Sequence, residues 1–217
     1  MPKLITQSSF NHKHFTTTKS CADMKDPSAR RAVMSFAGLD PQNLIIAQQT
    51  HGVNVKIVSK TDRNKIIGDC DALICADPEI ILGIFTADCM PIMMACAKRQ
   101  VIAAVHAGWR GLAGGIIEKT AQILKNDFNA APEEIDLYIG PHICKRCYEV
   151  SSDFEKIFGL PLENGKMDLS LAACNKASAV GIVNSTVSSL CTCNESDLFF
   201  SYRRDKSKER QLTFLSF

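Results

Sequence analysis

The sequence contains no long hydrophobic run. Residues 1–7 lack an apolar core of signal-peptide length, and no later stretch reaches the ~20 apolar residues that a membrane helix needs. Charge of one sign is also scarce, because the 217 residues carry a formal net charge of +2 and no long basic run. We therefore expect neither a membrane nor a nucleic acid as a partner.

Internal repeats, low-complexity stretches and linkers are missing as well. Hydrophobic residues make up 46% of the chain and charged residues 22%, which are the proportions of a folded rather than a disordered protein. A chain of this length can form one sizeable core. We therefore expect a single domain that spans residues 1–217.

The chain has ten cysteines, which in a short secreted protein would indicate a disulfide framework. Here Cys75 and Cys96 lie inside apolar, strand-like runs, and the chain is long enough to have its own core. This pattern predicts reduced thiols and a cytoplasmic location.

Short apolar runs alternate with amphipathic segments along the chain. Strands are predicted at 44–49, 53–58, 80–85, 92–96, 101–105, 135–139, 198–202 and 211–215. Helices are predicted from Asp26-Pro27 to Gly38, over 113–125, over 151–158, and over 171–180 with Asp168 or Ser170 as the cap. We therefore predict an α/β (α+β) fold, with mixed β-sheets flanked by helices.

The reactive side chains follow the ends of predicted strands. Cys89 and His106 each follow an apolar run, and a turn at 98–100 would return the chain so that both lie at one end of a sheet. His51 likewise follows the apolar run 44–47. One cysteine and two histidines on such loops predict either a metal site with an open position, or a Cys89 nucleophile with His106 as its base.

Three acids lie close to these residues in the sequence. Asp69 and Asp71 point the same way in an extended chain, so they form either a carboxylate pair for proton transfer or a support that orients a histidine. They are equally well explained as turn acids before a strand. Asp88, which precedes Cys89, is a further catalytic candidate that could orient a histidine or polarise water.

A glycine-rich segment, 111–115, precedes the helix predicted over 113–125. Backbone N–H groups at such a helix start can approach an anion, and Arg110 adds positive charge. The glycines would equally allow close packing of the helix on the sheet. Neither a P-loop nor a G-x-G-x-x-G motif is present. The candidate phosphate ligands are Arg110 and Gly111, followed by Arg203 or Arg204.

Two further patterns are reminiscent of metal sites. Cys144-x-x-Cys147 has the spacing of half a zinc knuckle or of a redox pair, but Cys191-x-Cys193 has one residue too few for a matching half. His12-Lys13-His14 has the H-x-H form. We interpret the cysteines as ordinary thiols and the histidines as solvated side chains, with metal binding as the alternative.

Six blocks of residues occur in one order and together resemble the YfiH family, also called the laccase-domain or multicopper polyphenol oxidase family. The resemblance extends over residues 10–215, nearly the whole chain. The blocks are Gln49–Val53 (QTHGV), Asp71–Leu73 (DAL), Thr86–Pro91 (TADCMP), His106–Gly111 (HAGWRG), Ile139–Pro141 with Tyr148–Val150 (IGP and YEV), and Phe200–Asp205 (FSYRRD). The chain departs from the family at His142, Cys144 and Cys147, where small residues are usual.

The resemblance implies a compact cytoplasmic α/β protein that binds zinc, or copper, through one cysteine and two histidines. Matched block by block, those ligands are His51, Cys89 and His106. Family members are described as purine nucleoside phosphorylases that act on adenosine, inosine and methylthioadenosine, with adenosine deaminase activity. The partners implied are therefore purine nucleosides and phosphate. Polyphenol oxidation is an older description, and one bacterial branch is credited with peptidoglycan editing.

The chemistry of the residues favours a zinc enzyme among these activities. A thiolate and two imidazoles suit Zn²⁺ with a fourth position for water or substrate. Metal-activated water suits deamination, whereas phosphorolysis additionally needs an anion site. Laccase chemistry requires several copper ions and many histidines, but the chain has only five. A Cys/His hydrolase remains an alternative, because it would use the same Cys89 and His106.

Overall fold

Two six-stranded sheets form the centre of the molecule. The computed structural model describes residues 1–217, and its strands are β1 (Leu4–Ile5), β2 (Lys13–Thr17), β3 (Leu44–Ala47), β4 (Val55–Ile57), β5 (Ile66–Ile67), β6 (Ala72–Cys75), β7 (Ile81–Thr86), β8 (Met90–Cys96), β9 (Val101–Ala107), β10 (Asp136–Ile139), β11 (Asn184–Val187) and β12 (Gln211–Ser216). The helices are α1 (Pro27–Phe36), α2 (Trp109–Ala113), α3 (Ile116–Phe128), α4 (Asp153–Phe158), α5 (Leu169–Ala179) and α6 (Tyr202–Asp205).

Both sheets mix parallel and antiparallel pairs. The first sheet has the order β1-β2-β12-β7-β3-β5, and the second has the order β11-β10-β8-β9-β6-β4. In the first sheet β3 pairs in parallel with β7, which pairs antiparallel with β12. In the second sheet β8 and β9 form a long antiparallel hairpin. The mixed sheets that the sequence predicted are therefore present.

The side chains of β8 and β9 divide the core into layers. Along β8, Met93 and Ala95 face the first sheet, whereas Ile92 and Met94 face the helices α2, α3 and α5. This two-residue alternation follows from the pleat of a strand. Helix α1 covers the opposite, outer face of the first sheet. The α/β (α+β) prediction is confirmed as a helix–sheet–sheet–helix arrangement.

The sequence predicted the helix caps more accurately than the helix lengths. The carboxylate of Asp26 accepts the N–H of Ser28 at the start of α1, and that of Asp168 accepts the N–H of Leu171 in α5. The helix predicted from residue 113 is instead two helices, because the chain turns at Gly115 with a φ of 89°.

None of the helices combines the length and apolarity needed to cross a membrane.

The strand predicted at 198–202 is wrong. Phe199 and Phe200 are buried, which explains the apolar run, but they pair with no strand. The side-chain amide of Gln211 instead bonds the N–H and C=O of Phe200, at 3.1 and 3.3 Å. The hydroxyl of Ser201 then caps the short helix α6.

Candidate active site

Three side chains converge where the two sheets meet at one end. The β8–β9 hairpin places His106 opposite Pro91, two residues after Cys89. His51 reaches the same point from the loop that follows β3. The ligand atoms of His51, Cys89 and His106 all lie within 4.8 Å of one another. The structure thus brings together the three residues that the sequence singled out.

The loop that carries His51 is wrapped around the carboxylate of Asp71. The backbone N–H groups of Thr50, His51 and Gly52 donate to it at 3.1, 3.0 and 2.8 Å. This wrapping holds His51 in the left-handed region, with a φ of 62°. Asp71 is fully buried just before β6, so a residue of the second sheet fixes a loop of the first.

The same carboxylate orients His106. The Nδ1 of His106 lies 2.7 Å from Asp71 Oδ1, so Nδ1–H donates to the carboxylate and Nε2 is directed toward Cys89. Burial alone would raise the pKa of Asp71, but the hydrogen bond from His106 and the backbone donors lower it to about 2. Burial would lower the pKa of His106, but Cys89 and Asp71 raise it to about 9.

Of the interpretations offered for the acids near β6, only the support of a histidine fits Asp71. Asp69 is exposed, and its carboxylate accepts a hydrogen bond from Asn54 Nδ2 at 3.1 Å. Its φ of 48° breaks the extended geometry that would have aligned it with Asp71. The carboxylate pair is therefore wrong.

Cys89 is half-buried, and its sulfur lies 3.8 Å from Nε2 of His51. Burial raises the pKa of this thiol, but the positive charge of His106 and hydrogen bonds with both histidines outweigh that effect. The resulting pKa is about 6. Cys89 is therefore a thiolate near neutral pH, which is the form that both a metal ligand and a nucleophile require.

The geometry and the donor set both fit a metal ion. One thiolate and two imidazoles match the coordination preference of Zn²⁺ and leave a fourth position for water or substrate. Gly108 lies against these side chains and leaves no room for a side chain of its own. An added Cβ would lie 3.1 Å from Cys89 Sγ and 3.1 Å from His51 Cδ2. His51, Cys89 and His106 are thus able to hold a metal ion.

Changing Gly108 to alanine should disturb this site without unfolding the protein. The new methyl group would push on Cys89 and His51, and small displacements of catalytic groups are costly, so we expect activity to fall by about 10-fold or more. Metal content should fall in parallel. The matched control is Gly68→Ala, whose Cβ meets only Gln48 Oε1 at an ordinary 3.5 Å. Equal activities in the two variants would contradict the assignment.

Asp88 links separate chain segments through hydrogen bonds and does not orient a histidine. Its Oδ1 accepts the Thr192 hydroxyl at 2.7 Å, and its Oδ2 accepts the N–H of Arg203 at 2.6 Å. It holds a φ of 91°, in the left-handed region that is costly for a non-glycine residue. Asp71 has the role of orienting His106, and Asp88 is placed to position Cys89 and Arg203.

The glycines after His106 serve packing. Gly111 is buried, and an added Cβ would lie 2.8 Å from the carbonyl oxygen of Gly52, under the His51 loop. At Gly114 the Cβ would meet Val53 Cγ1 at 2.8 Å. The structure therefore favours the packing interpretation and moves Gly111 out of the candidate phosphate site. Arg110 remains in it, exposed, with its guanidinium 4.5 Å from the centre of the Trp109 ring.

Arg203 and Arg204 have different surroundings. The Arg204 guanidinium donates to the carbonyls of Thr192, Cys193 and Phe199, so it is committed to the fold. Arg203 lies over the Tyr148 ring, 5.0 Å from its centre, and lines the cleft that surrounds His51, Cys89 and His106. Of the two, Arg203 is the one available to a substrate.

The cleft has a volume of about 930 Å³ and combines flat rings with positive charge. The only acid in its lining is Asp88, whose two oxygens are already bonded. Its aromatic residues are Phe85, Trp109, Tyr148 and Tyr202, and its basic residues are Lys25, Arg110, Arg203, Lys206 and Arg210. Such a lining suits a flat ring together with an anion.

The remaining histidines lie elsewhere and are bonded. His12 pairs with Asp136 at 3.4 Å, and buried His14 uses both of its ring nitrogens, toward His12 O and the N–H of Gln7. His142 is buried and bonds the carbonyl of Gly140. The His12-Lys13-His14 pattern is therefore not a metal site, and the cleft has ligands for one ion, not for a multinuclear copper cluster.

Comparison with known proteins identifies the relatives of this chain. A family model described as multi-copper polyphenol oxidoreductase laccase matches residues 8–217. A purine nucleoside phosphorylase of Clostridium acetobutylicum is 34% identical over 178 residues, which cover 77% of this chain and 74% of that protein. One from Deinococcus radiodurans is 38% identical over 183 residues, covering 80% and 68%.

Solved structures show the same fold. The crystal structure of the Bacillus licheniformis hypothetical protein YfiH aligns with a TM-score of 0.90 at 25% identity, covering 100% of this chain and 97% of that one. YlmD from Geobacillus stearothermophilus aligns with a TM-score of 0.88 at 26% identity, covering 97% and 93%. The arrangement of two mixed sheets flanked by helices is thus shared with experimentally determined structures.

Proposed function

Because this chain belongs to the multi-copper polyphenol oxidoreductase laccase family and resembles curated purine nucleoside phosphorylases, we propose that it is a zinc-dependent purine nucleoside phosphorylase. Its substrates are adenosine, inosine and methylthioadenosine, which phosphate cleaves to the free base and ribose 1-phosphate (or its methylthio derivative). It also deaminates adenosine. The observation that supports this best is the position of the His51, Cys89 and His106 group inside a cleft of aromatic and basic residues.

The cleft supplies what phosphorolysis needs. A phosphate oxygen attacks the anomeric carbon while the bond to the base breaks, so positive charge grows on the ribose and negative charge on the leaving purine. Arg110 and Arg203 hold the phosphate in this proposal, since each presents a guanidinium at the cleft. Trp109 and Tyr148 stack on the flat purine. Arg203 is preorganised because its guanidinium also donates to the carbonyl of Glu149 at 2.9 Å.

The metal site serves the deamination part of the proposal. Zinc held by His51, Cys89 and His106 would lower the pKa of water to ~7, which suits displacement of the adenine amino group. Asp71 keeps the Nδ1 of His106 protonated, so Nε2 is the nitrogen that would bind the zinc ion after losing its own proton. The thiolate of Cys89 supplies negative charge that suits a divalent cation. The set of three donors favours one zinc ion over the several coppers that laccase chemistry requires.

Incubation of the purified protein with adenosine or inosine, with and without phosphate, tests this function directly. We expect chromatography to show adenine or hypoxanthine together with ribose 1-phosphate only when phosphate is present. Inosine should form from adenosine without phosphate. A folded, zinc-loaded protein that yields none of these products would refute the proposal and leave a binding role.

Replacing Arg110 with alanine should weaken phosphate binding. A hydrogen bond to a charged group contributes about 1.5–3 kcal/mol, so KM for phosphate should rise roughly 10- to 100-fold, with a smaller change in KM for the nucleoside. Steady-state kinetics at varied phosphate measure this. The control is Arg31→Ala, an exposed arginine on α1 outside the cleft. If Arg110→Ala leaves KM for phosphate unchanged, the anion lies elsewhere.

A Cys/His hydrolase is a second candidate, favoured by one specific arrangement. The Cys89 thiolate, His106 and Asp71 form a chain in which the carboxylate orients the histidine beside a low-pKa thiol, as in thiol-dependent hydrolases. Metal analysis of protein purified without added metal separates the two candidates. A zinc ion that is lost in a Cys89→Ala variant supports the phosphorylase proposal, whereas a zinc content unchanged by Cys89→Ala, together with activity that is lost on alkylation of Cys89, supports the hydrolase.

A further inference from the structure

A second cluster of metal-ligating side chains lies apart from the Cys89 site. The sulfurs of Cys144, Cys147 and Cys191 all lie within 4.8 Å of one another. The side chain of Cys193 lies close to the Cys147 thiol. All four cysteines are free, so the cluster contains no disulfide. Two chain segments 47 residues apart thus bring three thiols together, with a fourth cysteine, Cys193, next to them.

Local backbone structure explains why the thiols meet. Cys144 and Cys147 flank a tight turn in which the N–H of Cys147 donates to the Cys144 carbonyl at 3.0 Å. A parallel bridge between His142 and Cys191 joins the two segments, and the N–H of Thr192 donates to the His142 carbonyl at 3.0 Å. The N–H of Cys144 points at Cys191 Sγ at 3.3 Å, a contact that stabilises negative charge on that sulfur.

We propose that Cys144, Cys147, Cys191 and Cys193 form a second, structural zinc site. Thiolates are the ligands that Zn²⁺ selects, and four of them close its tetrahedral shell. With no position left for substrate, such a site stabilises the fold instead of catalysing a reaction. The irregular C-x-x-C and C-x-C spacings argued against this site in the sequence, but the parallel bridge supplies the register that spacing alone did not reveal.

A redox disulfide explains the cluster less well. A disulfide joins two sulfurs, so any pair chosen here would leave a third thiol within 4.8 Å, in position to attack the bond by thiol–disulfide exchange. The N–H of Cys144, which donates to Cys191 Sγ, would also form a weaker hydrogen bond with a neutral disulfide sulfur than with a thiolate. A zinc ion engages every sulfur of the cluster at once.

The second site would brace one wall of the cleft. Tyr148 directly follows Cys147, and the Arg203 guanidinium donates to the carbonyls of Cys147 and Glu149 at 3.4 and 2.9 Å. Zinc at the cluster therefore fixes the chain against which Arg203 rests. The site itself depends only on the four cysteines, so it stands or falls separately from the proposed activity.

Cobalt titration of the full-length chain in a Cys89→Ala background, where the first site is disabled, tests the proposal. We expect one equivalent of Co²⁺ to give strong thiolate-to-cobalt charge-transfer bands together with tetrahedral visible bands. Further addition of Cys147→Ser should weaken both the charge-transfer bands and the affinity for Co²⁺. Addition of Cys147→His should retain tetrahedral binding, because imidazole is a zinc-type ligand that cannot form a disulfide. Addition of Cys174→Ser, at a half-buried cysteine on α5, should change nothing.

Two further measurements keep the result decisive if the serine variant fails to fold. The Cys89→Ala chain purified without chelator should contain about one zinc per chain, and removal of that zinc should lower its melting temperature. The absence of both zinc and cobalt binding in this chain would overturn the proposal, as would a loss of two free thiols through a disulfide within the cluster. Spectra unchanged by Cys193→Ser would remove Cys193 from the ligand set and overturn the four-cysteine assignment.

Discussion

Replacing Cys89 with alanine should remove the metal ion from the first site and lower kcat/KM by about 10³-fold, because a bound metal supplies several kcal/mol of transition-state stabilisation. The two remaining imidazoles provide neither the third ligand nor the negative charge of the thiolate. The loss should appear most clearly in adenosine deamination. Metal analysis of the variant and steady-state kinetics on adenosine, with and without phosphate, measure the two effects together.

The control for this experiment is Cys174→Ala, which removes a half-buried thiol that lies on α5 outside the cleft. It should retain the metal content and activity of the unmodified chain. A Cys89→Ala protein with the same metal content as the unmodified chain would contradict the assignment of the three ligands. A protein that loses metal from the first site yet stays fully active would contradict the catalytic role of the metal.

Replacing Asp71 with asparagine should damage the site and the fold at once. The buried carboxylate accepts five hydrogen bonds, from His106 Nδ1, the Thr50 hydroxyl and three consecutive backbone N–H groups. An amide presents N–H groups to some of these donors, so we expect the free energy of unfolding to fall by on the order of 3 kcal/mol. Metal affinity should fall by about 10- to 100-fold, since His106 is no longer oriented.

The pH dependence of stability provides an independent signature of Asp71. Its pKa is lowered from the usual 3.8 to about 2 in the folded protein, so its stabilising contribution is complete above pH 3.8 and is lost as the pH falls toward 2. The Asp71→Asn variant should lack this part of the acid destabilisation. Urea denaturation at several pH values measures it. Asp69→Asn, an exposed neighbour, is the matched control, and equal behaviour of the two variants would contradict the role given to Asp71.

Local sequence patterns predicted most of the fold. The β8–β9 hairpin follows from two apolar runs around a polar turn, and α1 follows from the capping Asp26 and Pro27. Patterns failed where a side chain replaced a backbone partner. The buried run at 198–202 has the composition of a strand, but the amide of Gln211 takes the hydrogen bonds that a neighbouring strand would have made.

The candidate site was predictable to the extent that its residues follow strand ends. His51, Cys89 and His106 met that condition, whereas the cleft lining did not. Trp109, Tyr148 and Tyr202 occur in the blocks that resemble the family but had no assigned role. Lys25, Lys206 and Arg210 gave no signal because they come from two loops that are far apart in the sequence. Metal binding at the cysteines was only an alternative in the sequence for a related reason, since the geometry of the cluster depends on the pairing of segments distant in sequence.

The convergence of ligands from both sheets has a mechanical consequence. His51 and Cys89 follow strands β3 and β7 of the first sheet, whereas His106 lies on β9 of the second. A metal ion at this point would act as a cross-link that clamps one sheet to the other. Its binding free energy would then add to the cohesion of the two sheets. In the metal-free molecule the two sheets would lack this cross-link at the end where the cleft opens. Occupancy of the site and rigidity of the cleft are therefore linked.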